Sequence, residues 1–553
     1  MAIRQRRIGW LLAVFALLLA AAAGRALQLA TLNAGTLSSV GATEHNATVT
    51  VAAPRGSILD RDGVVLALTA PAYDISAAPN RIPNPTAFAL ELSPVLHVSA
   101  KTIENAIQHP TSSPNYTIIA RQVPASAADS IKTLGLPSVA MSPDPVRYYP
   151  DEHGYLAAQL LGGVAANGTG ISGIEQEFNR QLAGAPGVQQ VVYDGKGRPV
   201  HIGGSTAVPG QSVQLTISAA LQQYADSVVA ATGEQFKAQD ATAIVLNPQT
   251  GDVLAMSNWP RANANDPSKV GAAENYAVGL DYEPGSTFKV VSIGGALSDG
   301  LIAPTTQFTI PPCIQVANYC ITDSEAHGTE TLNVNHILSK SSNIGAIKIG
   351  ELLGPAGVYR WVRRFGFGSP TGIDLPFEEP GVVPPTQNWS GSTIGNIPIG
   401  QGLDVTPLQL AEAYAAIANG GILRAPRIVE KVGNTTVREA HGTRILSPGV
   451  SAELRRMLEG VTREGGTAAE ITIPGYVLAG KTGTANKVVN GTYSHTDYYA
   501  SFVGFAPAHD PKVEAIVVVD SPKTGQIYGT EVAAPAWQKI MEFALQYLGI
   551  PPG

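Results

Sequence analysis

The chain has 553 residues, of which 44% are hydrophobic and 14% are charged. This length is too great for one hydrophobic core, so two or three domains are expected, and the composition excludes an intrinsically disordered chain. The 36 basic and 43 acidic residues give a formal net charge of -7, and no Lys/Arg-rich run follows the first few residues. A nucleic acid is therefore not an expected partner.

An apolar segment opens the chain. Arg4, Arg6 and Arg7 precede an uninterrupted apolar stretch over residues 8–24. About 17 residues is the lower limit for crossing hydrocarbon, and basic residues before the span predict a cytoplasmic N-terminus with the rest of the chain outside. We expect a cytoplasmic tail over 1–7 and a transmembrane anchor over 8–28. The alternative is a cleaved signal peptide, because small residues at 21–23 suit a signal peptidase.

The next segment, over 45–210, is expected to form a strand-rich module. Asp62-Gly63 predicts a hairpin turn between two strands. Further along, Ile174, Phe178 and Leu182 fall on one helical face. Residues 84–140 mix short helical and loop patterns and carry little chemical signal.

The main domain boundary is expected near residue 210, which leaves 211–553 as the second domain. The segment "SAALQQYADSVVAAT" predicts a helix that Ser218 caps, and Thr406 opens another helix with a capping box. Strands are predicted within 243–256 and in "YYASFVGFAPA" and "KVEAIVVVDSP", followed by a helix over 532–548. Strands at both ends with helices between them predict an α+β fold, an antiparallel sheet of non-contiguous segments covered by helices.

The two cysteines of the chain, Cys313 and Cys320, stand in "PPCIQVANYCI". In an oxidising compartment they could close a short disulfide ring, although the spacing also permits two free thiols. No second Cys/His pair lies nearby at ligand spacing, so no metal site is predicted. Nothing in the sequence indicates a cofactor.

Three short motifs carry the chemical signal. The first, "EPGSTFKV", places Ser286 and Lys289 on one face if a helix begins at Ser286. A serine is a poor nucleophile without a base in reach, and a lysine can be that base only when burial, a second cation or a helix dipole lowers its pKa.

The second motif, "LSKSSNIGAIKIG", stands at a break between two helical patterns and contains Ser341, Ser342 and Asn343. The third motif, "LAGKTGTANK", precedes a predicted strand and contains Lys481, Thr482, Gly483 and Thr484. Each triplet alone is more often a surface turn than a catalytic motif. The order S-x-x-K, S-x-N, K-T-G on an exported chain is a strong joint signal for serine penicillin-recognising enzymes.

The sequence resembles the class B penicillin-binding proteins, the monofunctional peptidoglycan D,D-transpeptidases. "PRGSILDRDGVVLA", "RYYP" and "GISGIEQEFNRQLAG" look like the N-terminal module of that class, and "LNPQTGDVLAMSN", "IGQGLDVTPLQLAEAYAAIANGG" and "SFVGFAPA" look like its transpeptidase domain. The resemblance implies a penicillin-binding/β-lactamase-like fold for 211–553. An N-terminal membrane helix and an elongated, dimerisation-like pedestal over 45–210 would precede it.

The resemblance also implies a role for each motif residue. Ser286 would attack the peptide carbonyl between two D-alanines of a stem pentapeptide, and Lys289 would accept its proton. Ser341 and Asn343 would relay a proton to the departing D-alanine and hold Lys289. Substrate binding would fall to Ser342, Lys481, Thr482, Gly483 and Thr484. The backbone N–H groups of Ser286 and Thr484 would form an oxyanion hole.

The same resemblance separates the chain from related classes. The first ~210 residues lack the glycosyltransferase pattern of class A penicillin-binding proteins and read as strands and loops. No glutamate between the second and third motifs fits the pattern of class A β-lactamases, so slow deacylation is expected. In the N-terminal module, the resemblance motifs contain charges for which ion pairs are predicted, because buried charges need partners: Arg55, Asp60, Arg61, Arg147 and Glu175.

"YEPGSTFKV" and "SSNIGAIKIG" look more like division-type or sporulation-type proteins than the rod-elongation type. This implies septal cell-wall synthesis at the bacterial inner (cytoplasmic) membrane, with inhibition by β-lactams. The implied partners are the D-Ala-D-Ala stem pentapeptide, an acceptor stem, a polytopic membrane glycosyltransferase and other division proteins. The alternatives are an elongation-type transpeptidase, a β-lactam-binding sensor, a β-lactamase or a D,D-carboxypeptidase.

Overall fold

The computed structural model describes residues 2–31, 46–110, 113–136, 138–151, 153–193, 199–271 and 273–552. The chain divides into two compact units, Met1–Pro54 with Gly184–Gly210, and Arg55–Ala183 with Gln211–Gly553. The predicted start of the first module, at residue 45, lies outside the described residues.

The described part of the first 210 residues contains nine strands and seven α-helices. The strands are β1 Asn46–Val51, β2 Ile58–Leu59, β3 Val65–Ala70, β4 Ala72–Ala77, β5 Thr117–Pro124, β6 Val139–Pro143, β7 Val146–Tyr148, β8 Gly187–Tyr193 and β9 Pro199–Ser205, among the residues that the structure describes. The helices over the same described residues are α1 Ala2–Thr31, α2 Pro85–Leu96, α3 Ala100–Gln108, α4 Ala125–Leu134, α5 Ala158–Leu161, α6 Gly173–Glu177 and α7 Asn179–Leu182.

The remaining strands and helices lie beyond residue 210. The strands are β10 Val213–Leu215, β11 Asp240–Leu246, β12 Val253–Trp259, β13 Gln307–Ile310, β14 Ile314–Val316, β15 Tyr319–Ile321, β16 Glu330–Asn333, β17 Ile422–Leu423, β18 Val429–Val432, β19 Thr435–Thr436, β20 Thr443–Arg444, β21 Ala479–Val489, β22 Thr492–Ala506 and β23 Val513–Asp520. The helices are α8 Ala219–Phe236, α9 Pro267–Val270, α10 Tyr276–Gly279, α11 Lys289–Ser298, α12 Val334–Ser339, α13 Asn343–Arg364, α14 Thr393–Asn396, α15 Pro407–Ala418, α16 Pro448–Glu459, α17 Gly529–Val532 and α18 Ala534–Tyr547.

The first unit contains α1 and the antiparallel sheet β1-β8-β9. Helix α1 begins at Ala2, so residues 2–7 of the predicted tail are helical. Its segment Arg7–Thr31 is long and apolar enough to cross a membrane, and none of it is buried. A membrane anchor and a cleavable signal would both satisfy this observation.

The second unit is built around a five-stranded antiparallel sheet with the order β12-β11-β23-β22-β21. This arrangement confirms the predicted sheet of non-contiguous segments. Alternate residues of β23 enter two hydrophobic clusters, Ile516 and Val518 in one and Val517 and Val519 in the other. Both faces of the sheet are therefore covered, and β21 stands at an edge.

A six-stranded sheet, β19-β18-β10-β2-β3-β7, joins segments from before residue 184 with segments from beyond residue 210. The predicted hairpin at Asp62-Gly63 is confirmed, since β2 and β3 pair in antiparallel register around it. The segment 84–140, which has little chemical signal in the sequence, contributes β5, the start of β6 and three helices. Strand β4, which precedes this segment, is the central strand of the sheet β5-β4-β6.

Two local predictions are wrong. Ser218 occupies the N-cap position of α8, but its side chain makes no capping hydrogen bond; Asp60 Oδ2 instead accepts from Ala219 N at 3.0 Å. The predicted helix through Ile174, Phe178 and Leu182 is divided at Phe178 into α6 and α7. The capping box at Thr406 is confirmed.

Candidate active site

The first motif forms a tight turn at the start of α11. Pro284 precedes a 3-10 turn over Gly285–Phe288, which continues directly into α11. Gly285 has a φ of +58°, and its N–H donates to Gly400 O at 2.9 Å. A Cβ on Gly400 would lie 2.1 Å from Gly285 O, so the close approach of the two backbones requires glycine there.

The predicted pairing of Ser286 with Lys289 is present in the structure. Lys289 is fully buried, and its Nζ lies 3.0 Å from Ser286 Oγ. The same Nζ lies 2.5 Å from Ser341 O, 3.2 Å from Ser341 Oγ and 2.7 Å from Asn343 Oδ1. The first two motifs therefore meet at one amine.

The neighbours of this amine specify how its hydrogens are used. The Ser341 carbonyl and the Asn343 amide oxygen can only accept, so they take two N–H groups of Lys289. A neutral amine then has one lone pair left, and Ser286 Oγ is close enough for its hydroxyl to donate to it. This is the geometry of a nucleophile next to its base.

Lys289 can act as a base only when its amine is uncharged, and burial favours the uncharged form. Burial lowers the pKa of Lys289 to about 7, against a smaller opposing effect of the Asp323 carboxylate. Of the three causes that the sequence allowed, namely burial, a second cation and a helix dipole, burial is the main one for Lys289. At neutral pH a substantial fraction of Lys289 is uncharged and can accept a proton.

Ser341 reaches Lys289 because its backbone is in the left-handed region. It follows the end of α12 and has a φ of +62°. A non-glycine residue in this conformation costs on the order of 1–3 kcal/mol, and such residues concentrate at functional sites. The strained turn directs both the carbonyl and the hydroxyl of Ser341 at Lys289.

Ser342 does not have the predicted substrate-binding position. It is buried at the N-cap of α13, where its Oγ accepts from Gly345 N and donates to Asp323 Oδ2 at 2.8 Å. Its hydroxyl is engaged in holding the helix start, so it is not available to a ligand. Asp323 also accepts from Ile344 N at 2.9 Å. No sequence signal marks Asp323, which lies outside the three motifs.

The third motif lies on the edge strand β21. Thr482 and Thr484 face the same cavity as Ser286, whereas Lys481 is fully buried behind it. Lys481 Nζ donates to the Thr482 carbonyl at 3.2 Å. Burial, and secondarily the charge of Lys289, lowers the pKa of Lys481 well below its usual range. The predicted direct contact between Lys481 and a substrate carboxylate is therefore not prepared in this structure.

Gly483 serves packing. A Cβ at this position would lie 2.3 Å from Ser501 Oγ and 3.0 Å from Pro284 O. The glycine lets the nucleophile turn pack directly against β21. It thereby brings Ser286 and Thr484 to one cavity.

The cavity in front of Ser286 has a volume of about 680 Å³. The structure brings five predicted site residues to its wall: Ser286, Ser341, Asn343, Thr482 and Thr484. Further polar residues that the motifs do not mark share this wall: Glu325, Gln401, Thr467, Tyr528, Thr530 and Glu531. They come from loops and from α17, segments far apart in the chain, which is why sequence spacing could not find them.

Cys313 and Cys320 are joined as a disulfide, with their Cα atoms 5.6 Å apart. The sequence allowed either a disulfide or two free thiols, and the structure contains the disulfide. Within the part of the chain that the structure describes, no group of three or more His, Cys, Asp or Glu side chains is placed to hold a metal ion.

Comparison with known families gives two matches. Residues 241–542 match the penicillin binding protein transpeptidase domain, and residues 50–215 match the penicillin-binding protein dimerisation domain. All three motifs lie inside the first of these ranges.

Individual relatives extend the likeness over most of the chain. Penicillin-binding protein PbpB of Mycolicibacterium smegmatis is 32% identical, over 98% of this chain and 90% of that protein. Stage V sporulation protein D of Bacillus subtilis is 31% identical, over 90% of this chain and 79% of that protein. The crystal structure of penicillin binding protein 3 from Mycobacterium tuberculosis, complexed with aztreonam, is similar with a TM-score of 0.71 at 29% identity, over 91% of this chain and 98% of that one.

Proposed function

Because the chain belongs to the penicillin-binding protein transpeptidase family, we propose that it is a membrane-anchored peptidoglycan D,D-transpeptidase that acts through a serine acyl-enzyme. One observation carries the mechanism. The buried Nζ of Lys289, with two obligate acceptors in contact, lies 3.0 Å from Ser286 Oγ.

The reaction has two halves. Ser286 Oγ forms an ester with the carbonyl carbon between two D-alanines, its proton moves to Lys289 Nζ, and the peptide C–N bond breaks. The departing D-alanine amine takes a proton through the Ser341 hydroxyl. An amine of a neighbouring stem then attacks the ester, which forms the cross-link and restores the Ser286 hydroxyl.

Hydroxyl groups are the first contacts for the terminal carboxylate of the donor stem. Thr482 and Thr484 line the cavity, and Thr467 Oγ1 lies 3.1 Å from Thr482 Oγ1. Lys481 acts from behind this layer. A bound carboxylate would favour its charged form, because an opposite charge nearby raises the pKa of a buried amine.

β-Lactams would acylate the same serine. This proposal is supported by the aztreonam complex of the similar Mycobacterium tuberculosis protein. An elongation-type transpeptidase is the alternative, whereas the sporulation relative favours a septal or sporulation role. The proposed partners are a polytopic membrane glycosyltransferase and division proteins.

The apolar helix α1 supports attachment to the bacterial inner membrane with the rest of the chain outside. We assign 1–7 to a cytoplasmic tail, 8–28 to the anchor, 45–210 to the pedestal module and 211–553 to the transpeptidase domain. The ranges matched by the two family profiles, 50–215 and 241–542, are consistent with this division.

Covalent labelling tests the function. Fluorescent penicillin should form an adduct at Ser286 that lasts many minutes, and Ser286→Ala should form none while its thermal unfolding stays nearly unchanged. Rapid release of the adduct would instead indicate a hydrolase. A folded wild-type protein without any adduct would favour an inactive, sensor-like relative. Co-purified membrane partners would separate a division role from an elongation role.

A further inference from the structure

The disulfide closes a small hairpin beside the active site. Strands β14 and β15 pair in antiparallel register, with Gln315 opposite Cys320. Cys313 directly precedes β14, so the ring ties the open end of the hairpin. Two strands of three residues each do not hold their geometry in water alone, which leaves the hairpin dependent on other restraints.

One restraint is a small apolar cluster. Val316, at the end of β14, packs with Ala346 and Ile347 of α13 and with Ile399. Ile314 and Ile321 lie partly buried against the same group. These contacts seat the hairpin on the helix that begins with Asn343.

The chain leaving the hairpin reaches the second catalytic motif within two residues of β15. Thr322 O accepts from Asn343 Nδ2 at 3.0 Å. Asp323 Oδ2 accepts from Ser342 Oγ at 2.8 Å, and its Oδ1 accepts from Ile344 N at 2.9 Å. The segment that follows the disulfide ring therefore holds the start of α13 through three hydrogen bonds.

Asn343 connects this segment with the base. Its Nδ2 donates to Thr322 O, while its Oδ1 accepts from Lys289 Nζ at 2.7 Å. A shift of the hairpin would pull on the amide that orients Lys289. Cys320 is exposed and, with Ile321 and Thr322, lines the cavity in front of Ser286. A small reductant could thus reach the ring.

We propose that the Cys313–Cys320 disulfide is a positioning element of the active site, which fixes the hairpin so that Thr322 and Asp323 hold Asn343 against Lys289. The inference rests on the proposed acyl-enzyme function. Reduction by a dithiol reverses the constraint: two electrons and two protons pass to the protein, two thiols form, and the dithiol becomes a cyclic disulfide. The reduced hairpin keeps its apolar cluster and short ladder but loses the covalent link between its two strands.

The experiment measures the rate of covalent labelling by fluorescent penicillin on the full-length protein in detergent. Three states are compared: oxidised, reduced with dithiothreitol, and reoxidised after removal of the reductant. We expect the reduced state to label on the order of tenfold to a hundredfold more slowly, since small misplacements of catalytic groups have effects of this size. Reoxidation should restore the rate.

The pH dependence of the labelling rate distinguishes a hairpin that positions Lys289 from a hairpin that only stabilises the fold. In the reduced state the acid limb of the labelling rate should move to lower pH. The Asn343 acceptor and the Asp323 carboxylate both favour protonated Lys289, and both would be loosened. A hairpin that only stabilises the fold would leave this limb unmoved.

The double variant C313S/C320S is the matched control, because it cannot form the ring. It should label at the rate of the reduced wild type and ignore dithiothreitol. If this variant fails to fold, the labelling rates of the oxidised, reduced and reoxidised wild type test the inference without it. Equal labelling rates in the oxidised and reduced wild type would overturn the inference while leaving the proposed function intact. No labelling in any state would overturn the proposed function itself, and the inference with it.

Discussion

Lys289 is held in a site where burial and hydrogen bonding act in opposite directions on its charge. Its removal from water favours the neutral amine, whereas two carbonyl-type acceptors and Asp323 favour the ammonium. Burial is the larger effect and lowers the pKa to about 7. The amine is thus poised between accepting and returning a proton near neutral pH.

The rate of penicillin labelling should follow this titration. Below pH 7 Lys289 is mostly protonated and cannot accept the Ser286 proton, so the rate should fall about tenfold for each pH unit well below the pKa. The rate should approach a plateau above about pH 8. Stopped-flow labelling across pH 5–9 measures the profile. A rate independent of pH in this range would contradict the role of Lys289 as the base.

Lys289→Arg is the matched variant, since it keeps the charge but cannot lose its proton at usable pH. Labelling should disappear at every pH tested. Normal labelling by this variant would remove Lys289 from the mechanism, whatever the wild-type profile.

Glu283, the first residue of the motif "EPGSTFKV", lies three residues before Ser286 and ties the start of the nucleophile turn to Gly402 and Tyr493. It is 9% exposed, and its Oε1 accepts from Gly402 N at 2.8 Å and from Tyr493 Oη at 3.2 Å. Burial is the main cause that raises its pKa to about 7. This carboxyl therefore titrates in the same range as Lys289.

Two substitutions of Glu283 separate its support from its titration. Glu283→Gln keeps an acceptor for Gly402, so it should label at nearly the wild-type rate and retain the limb of the pH profile that belongs to Lys289. Glu283→Ala loses both hydrogen bonds and should lower the free energy of unfolding by about 1–3 kcal/mol and slow labelling. Loss of the acid limb in Glu283→Gln would assign that limb to Glu283 instead.

At the residue scale, the motifs predicted which side chains contact each other, but they did not predict which side chains are exposed. The i, i+3 spacing of Ser286 and Lys289 sets their proximity once a helical turn forms, and the structure has it. The exposure of Ser342 and Lys481 depends on what covers them. Ser342 is turned inward by Asp323, a partner 19 residues away in sequence. No local pattern contains that information.

At the scale of elements, a buried charge network connects the loop between β1 and β2 with β7 and α6. Arg55 Nε and Arg147 Nε each lie 2.6 Å from Glu175, whose side chain is fully buried. The predicted ion pairs are thus present for these three residues. Asp60 instead accepts from the backbone N–H groups of Asp62 and Val64, and Arg61 forms no ion pair in the parts of the chain that the structure describes.

Glu175→Gln should strongly destabilise the protein. It leaves two buried guanidinium groups without a counter-charge, and breaking a buried pair in this way costs about 3–5 kcal/mol. Chemical denaturation of the wild type and the variant measures the difference. Glu453→Gln is the control, since its pair with Arg456 is exposed and is worth less than about 1 kcal/mol. Similar losses in both variants would contradict the buried network.

Helix ends were predictable where the cap is local and not where it comes from elsewhere. Thr406 and Gln409 lie three residues apart and form the predicted capping box. The first N–H of α8 is bound by Asp60, 159 residues before Ala219, so the local serine is not used. At the division of the predicted 174–182 helix a distant partner is again present, since Arg55 Nη2 donates to Glu175 O at 2.7 Å. In a continuous helix that carbonyl would accept from Asn179 N.

At the scale of the whole molecule, the sequence predicted the presence of an antiparallel sheet and its non-contiguous origin, but not its order. Hydrophobic runs identified β11, β12, β22 and β23, yet pairing depends on contacts such as Ala241 opposite Val519, which are remote in sequence. The six-stranded sheet, with its parallel pair β2 and β10, had no counterpart in the predicted modules. Hydrophobic periodicity indicates which face of a strand is apolar, but it does not indicate which strand pairs with it.

The apolar helix α1 leads to the last prediction. Its segment Arg7–Thr31 is exposed in the part of the chain that the structure describes, and an exposed apolar surface of this length needs hydrocarbon around it. A variant that lacks residues 1–31 should be soluble without detergent and should label with penicillin at the wild-type rate, because Ser286 and Lys289 lie in a different compact unit.

The full-length protein should sediment with membranes and resist extraction by high salt, and mass spectrometry of the extracted chain should find its N-terminal segment intact. A mature chain that begins after residues 21–23 would instead establish the cleaved signal peptide. Labelling separates the two questions: if the truncated variant loses labelling while its unfolding temperature is unchanged, α1 contributes to the active site as well as to anchoring. Since burial and the Asp323 carboxylate are the causes that set the pKa of Lys289, we expect the truncated variant to keep both the rate and the acid limb of the wild type.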